Sequence, residues 1–204
     1  SPARDLDVGQ IVLAKHRVRQ GMRNVEGWER FLKRQRRERN LARREVRGLM
    51  SSPSTRKLVS ELGLLLRIEL PAAARSKRPM GEESLRWLNE ARRRARAQRH
   101  LARSTRADEL HDLRIAIRRY RLLADLLAPV LGRPALRLAR RLRVPEKKLG
   151  RLHDLDVARA RYKKQDDPVA QTLAEVLKVL RERQLQRFLA VWNDFVWSDP
   201  RDPV

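Results

Sequence analysis

Between Leu113 and Leu127 the apolar side chains return every three or four residues: Leu113, Ala116, Ile117, Tyr120, Leu123, Ala124 and Leu127. That spacing gathers on one face of an α-helix and does not alternate across a strand. Leu138, Leu142, Leu149 and Leu152 repeat the pattern further on, and Phe31, Ala42, Val46 and Leu49 carry it near the start. Runs of period two are absent. Aromatic residues make up 4% of the chain against 41% for all apolar types, so any core is built of Leu, Ala and Val, which form helices readily. The expected fold class is all-α.

Punctuation divides the 204 residues. Helices are expected over about 3–20, 24–50 and 53–70, the last opened by Pro53 after "SSPST". The segment 71–83, "PAAARSKRPMGEE", reads as a linker because it holds two prolines, a glycine and little apolar content. Helices resume over about 82–103 and 107–131, with Asp108 a candidate cap and Gly132 and Pro134 as the stop. A pattern over 134–164 contains Pro145, where a kink or break is expected. The last helix is expected over 168–197. "RDLDV" at 4–8 returns as "HDLDV" at 153–157, which suggests two related helical bundles, one over about 1–70 and one over about 84–204. The first would then begin partway through its repeat, since only three residues precede "RDLDV".

Lys and Arg number 49 against 25 Asp and Glu, a net charge of +24. Such a field attracts polyanions and opposes folding by self-repulsion. On the helix over 107–131, His111, Arg114, Arg118 and Arg121 share a sector beside the apolar face, with rungs about 5 Å apart, while Arg119 points elsewhere into solvent. No acid lies between Leu113 and Ala124 to pair with this ladder. Lys33, Arg37, Arg44 and Arg47 form a second set, with Asn40 in its gap. Arg141 and Lys148 form a third beside the Leu138–Leu152 stripe. Together the three predict a continuous positive groove. Arg predominates over Lys, which suits forked recognition of phosphate oxygens. An anion close to His111 would favour its charged form, so affinity is expected to fall as pH rises past neutrality.

Of the other histidines, His16 and His100 read as surface residues. His153 fits either anion contact or a hydrogen bond at a helix junction. The chain has no Cys, which excludes disulfides and thiolate metal sites, and the acids beside the ladders are too few for a His/Asp metal centre. No apolar run reaches the roughly 20 residues of a spanning helix, and "SPARDLDVGQIVL" has no leader pattern. A cytoplasmic protein with no membrane span and no cofactor is expected.

"LHDLRIAIRRYRLLADLL" closely resembles the histidine helix of the CHAD family, the conserved histidine α-helical domain. "KKLGRLHDLDVARA" resembles the segment that follows it there, and "ARDLDV" the equivalent segment of that family's first repeat. The resemblance extends more loosely over nearly all of 1–204, so the whole chain reads as a single such domain. It implies a domain of two related helical bundles around a basic cavity that binds long-chain inorganic polyphosphate, found on polyphosphate granules. By position it carries over to His111, Arg114, Arg118 and Arg121, and less closely to Arg37, Arg44 and Lys148. It also implies that the first repeat lacks its own histidine helix in this chain.

Four functions compete on this reading. A polyphosphate-binding module needs closely spaced cations and no stacking aromatics, which the ladders supply. A nucleic-acid backbone binder shares the charge but usually interleaves aromatics to stack bases. A polyphosphatase calls for carboxylates holding Mg²⁺, which the ladder lacks. An anionic-membrane protein needs apolar stripes to spare, and these look committed to a core. The first reading is preferred, with no catalytic residues and with Lys33, Arg37, Arg44, Arg47, His111, Arg114, Arg118, Arg121, Arg141, Lys148 and His153 as the binding set.

Overall fold

The computed structural model describes residues 2–65, 79–193 and 195. Among these the chain is all-α: α1 (Pro2–Leu13), α2 (His16–Met22), α3 (Trp28–Met50), α4 (Pro53–Leu64), α5 (Met80–Ala97), α6 (Ala107–Leu131), α7 (Arg133–Lys163) and α8 (Pro168–Asn193), with a 3₁₀ turn at Arg99–Arg103. They build two compact units, one of Ser1–Lys77 with Gln165–Leu173 and one of Arg78–Lys164 with Ala174–Val204. Expectations for 66–78, for the stretch past Asn193 and for the side chain of His16 fall outside the described residues.

In the first unit, the single helix expected over 3–20 is two. Lys15 adopts an extended conformation and separates α1 from α2. The helix expected from residue 24 starts at Trp28, because Gly27 sits at φ +80, a left-handed conformation that only glycine adopts without strain. Trp28 and Phe31 stack at 5.8 Å and are buried. Leu6, Val12 and Leu13 of α1 and Val18 and Met22 of α2 are buried as well. The apolar stripe of α3 does not stay buried along its length, contrary to expectation: Ala42 is half-buried, while Val46 and Leu49 are 41% and 68% exposed. The helix that follows it, α4, buries none of its own side chains. Ser52 caps α4 through Thr55 N–H, with Pro53 in the first turn as expected.

Asp167 ties this unit together. Its carboxylate accepts from the Val169 and Ala170 N–H groups at 2.8 and 3.3 Å, capping α8, and also pairs with Arg34 of α3. The Arg34 guanidinium, aided by those two N–H groups, holds the Asp167 carboxyl below the ordinary carboxylate value. Arg34 also lies over the Phe31 ring, 5.4 Å from its centre. Asp7 of α1 accepts from Arg39 at 2.7 Å and Arg43 at 3.0 Å, and these two likewise lower its pKa, Arg39 first.

The second unit packs Leu88 and Ala95 of α5, Leu113, Ile117, Tyr120 and Ala124 of α6, Leu138, Leu142, Leu149 and Leu152 of α7, and Leu185 and Phe188 of α8 into one core. α5 ends at Ala97 and tightens into the 3₁₀ turn where an α-helix to residue 103 was expected. α6 spans the expected range, but Arg106 is its N-cap. Asp108 lies inside the first turn, where it pairs with Arg106. Gly132, at φ +71, is the only residue between α6 and α7. Pro145 does not break α7, which runs unbroken from Arg133 to Lys163. A proline inside a helix costs about 3 kcal/mol, but this ring is buried within the Leu142–Leu149 stripe, and packing there offsets the lost hydrogen bond.

Two outcomes follow for the first unit. Gly27→Ala forces a Cβ into the left-handed region and should cost about 1–2 kcal/mol by chemical unfolding. Asp167 has a folded-state pKa below its unfolded value of 3.8. Its contribution is therefore complete above about pH 4 and is lost as pH falls through the lowered folded value. Asp167→Asn keeps the cap but loses the charge, so its unfolding midpoint should depend less on pH below 4 than that of the parent.

Candidate functional site

α6 and α7 run antiparallel about Gly132, and their register brings the two "HDL" tripeptides face to face. His111 and His153 stand twenty-one residues either side of Gly132. Their Nδ1 atoms are 3.2 Å apart and their ring centres 4.5 Å, with the planes tilted by 37°. That contact needs one ring to donate and the other to accept. One turn along, Arg114 lies against Gly150, where an added Cβ would sit 3.8 Å from Arg114 Nε. Further along, Arg121 pairs with Glu146 of α7 and with Asp125 on its own helix.

The four ladder residues are thus not alike. At 100° per residue Arg114 and Arg121 are the two nearest the apolar face, while Arg118 stands about 40–60° further from it. Burial follows that order. Arg114 is 9% exposed and Arg121 has 14% of its side chain exposed, while Arg118 is exposed and His111 half-buried. Arg121 is not left without a partner, contrary to expectation. Two carboxylates compensate its charge and raise its pKa above the ordinary arginine value, Glu146 first. Arg118 makes no ion pair or hydrogen bond with any described side chain.

The remaining expected site residues divide in the same way. On α7, Lys148 lies about 140° around the helix from His153, away from the flank that meets Arg114. Its carbonyl accepts from Gln184 of α8 at 3.4 Å. Arg141 lies on the same flank as Lys148, so neither joins the His111–His153 rungs. Arg181 of α8 pairs with Asp156 and donates to the Thr105 carbonyl at 2.7 Å, closing the other side of α7. In the first unit, Lys33, Arg37, Arg44 and Arg47 are exposed and make no ion pair among the described residues. They run about 21 Å along α3 on the side opposite Trp28 and Phe31, where flanking positions beside the core were expected. Arg34, Arg39 and Arg43, which hold the acids, lie outside that stripe.

Sequence reasoning missed Asp125, Glu146 and Gly150. Asp125 lies one residue past the acid-free stretch and four after Arg121, an ordinary helical pairing distance. Glu146 and Gly150 required the hairpin register, and the two "HDL" motifs equidistant from Gly132 were its signal. Among the described residues no three His, Asp or Glu side chains converge as metal ligands, and no described helix is long and apolar enough to cross a membrane.

The CHAD domain family model matches residues 1–163. Searches of curated proteins and of solved structures return no match.

The burial pattern separates two neighbouring arginines. Arg118→Ala should leave thermal stability unchanged. Arg114→Ala should destabilise by about 2 kcal/mol, from three buried methylenes at about 0.8 kcal/mol each. Gly150→Ala, with only ordinary contact at Arg114, should be neutral or stabilising by up to about 1 kcal/mol. Chemical unfolding of the three variants checks all of this.

Proposed function

Because the chain belongs to the CHAD domain family, a family associated with polyphosphate binding, we propose that it is a binding module for inorganic polyphosphate and not an enzyme. The observation that carries this reading is the sorting of cations. Carboxylates hold Arg34, Arg39, Arg43, Arg121 and Arg181, whereas Arg118 and the Lys33–Arg37–Arg44–Arg47 stripe have no carboxylate among the described residues. A chain of phosphates supplies the missing anions at a spacing the stripes can follow. Each charge-assisted contact contributes about 1.5–3 kcal/mol where water is partly excluded.

Arg118 and His111 make the first contacts on the second unit, with Arg114 held beside them by the α6–α7 packing. Arg121 acts by positioning: its pairing with Glu146 fixes the register that sets the other rungs. Tyr120 is buried, so α6 exposes no Phe, Tyr or Trp ring on which a base could stack. That favours a bare phosphate chain over nucleic acid. The two carboxylates that pair with the ladder, Asp125 and Glu146, are engaged by Arg121, which speaks against those two holding Mg²⁺ for phosphoryl transfer. Such a module would bring its chain to polyphosphate granules.

Competition tests the reading. Labelled long-chain polyphosphate bound to the protein should resist displacement by single-stranded RNA of equal total charge at equal concentration. Displacement at parity would replace the proposal with general polyanion binding. Arg37→Ala/Arg44→Ala/Arg47→Ala, which removes only exposed side chains, should weaken polyphosphate binding at least tenfold with helicity intact.

A further inference from the structure

A second surface of α6 faces away from the histidine ladder. Between α5 and α6 lies a cavity of about 1100 Å³. From α6 it is lined by Asp112, Ile115, Ala116, Arg119 and Leu123, a face about 140° around the helix from the ladder. From α5 it is lined by Arg86, Trp87, Glu90, Ala91, Arg94 and Ala97, again one continuous helical face. Each face extends over about 11 residues, or about 17 Å, so the cavity is a groove some three helical turns long.

Its floor and rim differ in chemistry. Trp87, 42% exposed, lies on the floor with Ala91, Ile115, Ala116 and Leu123. The alanines are small enough for a third backbone to approach closely. The rim is cationic. Arg86, Arg93, Arg94 and Arg119 line it with two carboxylates, Glu90 and Asp112; Glu90 is shared by Arg93 and Arg94, and Arg86 pairs with Glu83 at 2.8 Å, which leaves Arg119 as the rim's available cation. Arg119, on the α6 rim, has no ion pair among the described residues.

We infer that this groove docks an amphipathic helix of a partner protein, about three turns long, apolar along its centre and carboxylate-bearing along its flanks. A phosphate chain gains nothing from an apolar floor. A single-stranded nucleic acid needs a row of aromatic faces, and Trp87 is the one aromatic among the described lining residues. A helix uses the floor, the length and the rim together. The inference stands on different residues from the polyphosphate reading, and the two can fail separately.

The probe is a labelled helix-forming peptide with Leu at i, i+4 and i+7 and Glu on both flanks, beside a twin carrying Gln for Glu. By fluorescence anisotropy with the full chain, the Glu peptide should bind at least tenfold tighter than the Gln twin. Trp87→Ala and Arg119→Glu should each weaken it at least tenfold, with circular dichroism unchanged. Arg119→Gln, a milder change, should weaken it by a smaller factor. Arg118→Ala should leave peptide affinity unchanged. Equal binding of the two peptides, or no effect of Trp87→Ala and Arg119→Glu, would overturn the inference. So would an equal loss in Arg118→Ala, which would place the peptide on the ladder. A single-stranded oligonucleotide that displaces the peptide and itself depends on Trp87 would overturn it in favour of a nucleic-acid site.

Discussion

The fold rests on how a short supply of carboxylates is placed among an excess of cations. With 49 Lys and Arg against 25 Asp and Glu, the chain carries a net +24, and any cation drawn out of water without a partner is costly. Four of the described acids stand where two helices meet. Asp7 joins α1 to α3, Asp167 joins α3 to the start of α8, Glu146 joins α6 to α7, and Asp156 joins α7 to α8. Arg118 on α6 and Lys33, Arg37, Arg44 and Arg47 on α3 lie where water can reach them, at positions set by helical period. The same distribution that permits folding therefore leaves surfaces that attract anions.

The α6–α7 hairpin shows how one constraint organises several features. Gly132 reverses the chain in a single residue, so positions equidistant from it meet: His111 with His153, and Arg114 with Gly150. Arg114 is nearly buried, with its Nε against Gly150, while it keeps its place in the helical row of His111 and Arg118. The opposite flank of α6 forms one wall of the α5–α6 groove.

Most of the fold was legible in the sequence because helical period, Gly and Pro are local signals. The α6 boundaries and the Ser52–Pro53 start of α4 needed nothing else. What failed depended on tertiary context. Pro145 reads as a break until its burial within the Leu142–Leu149 stripe is known. The start of α3 depends on Gly27 taking a left-handed conformation, and the apolar stripe of its second half finds no core among the described residues. The ladder was legible as a pattern, but its division into structural and available arginines was not. That division depends on Glu146, twenty-five residues away, and on the hairpin register. The family match over residues 1–163 agrees with the resemblance carried by the "HDL" segments.

The central claim is that paired arginines hold the fold while unpaired ones hold the ligand. Thermal unfolding with and without long-chain polyphosphate separates these roles, because a ligand that binds only the folded state raises the midpoint. Arg121→Ala should lower the midpoint in the absence of polyphosphate, and Arg118→Ala should leave it unchanged while shrinking the increment that polyphosphate adds. If the two variants shift both quantities alike, or if polyphosphate adds no increment to the parent chain, the account is wrong.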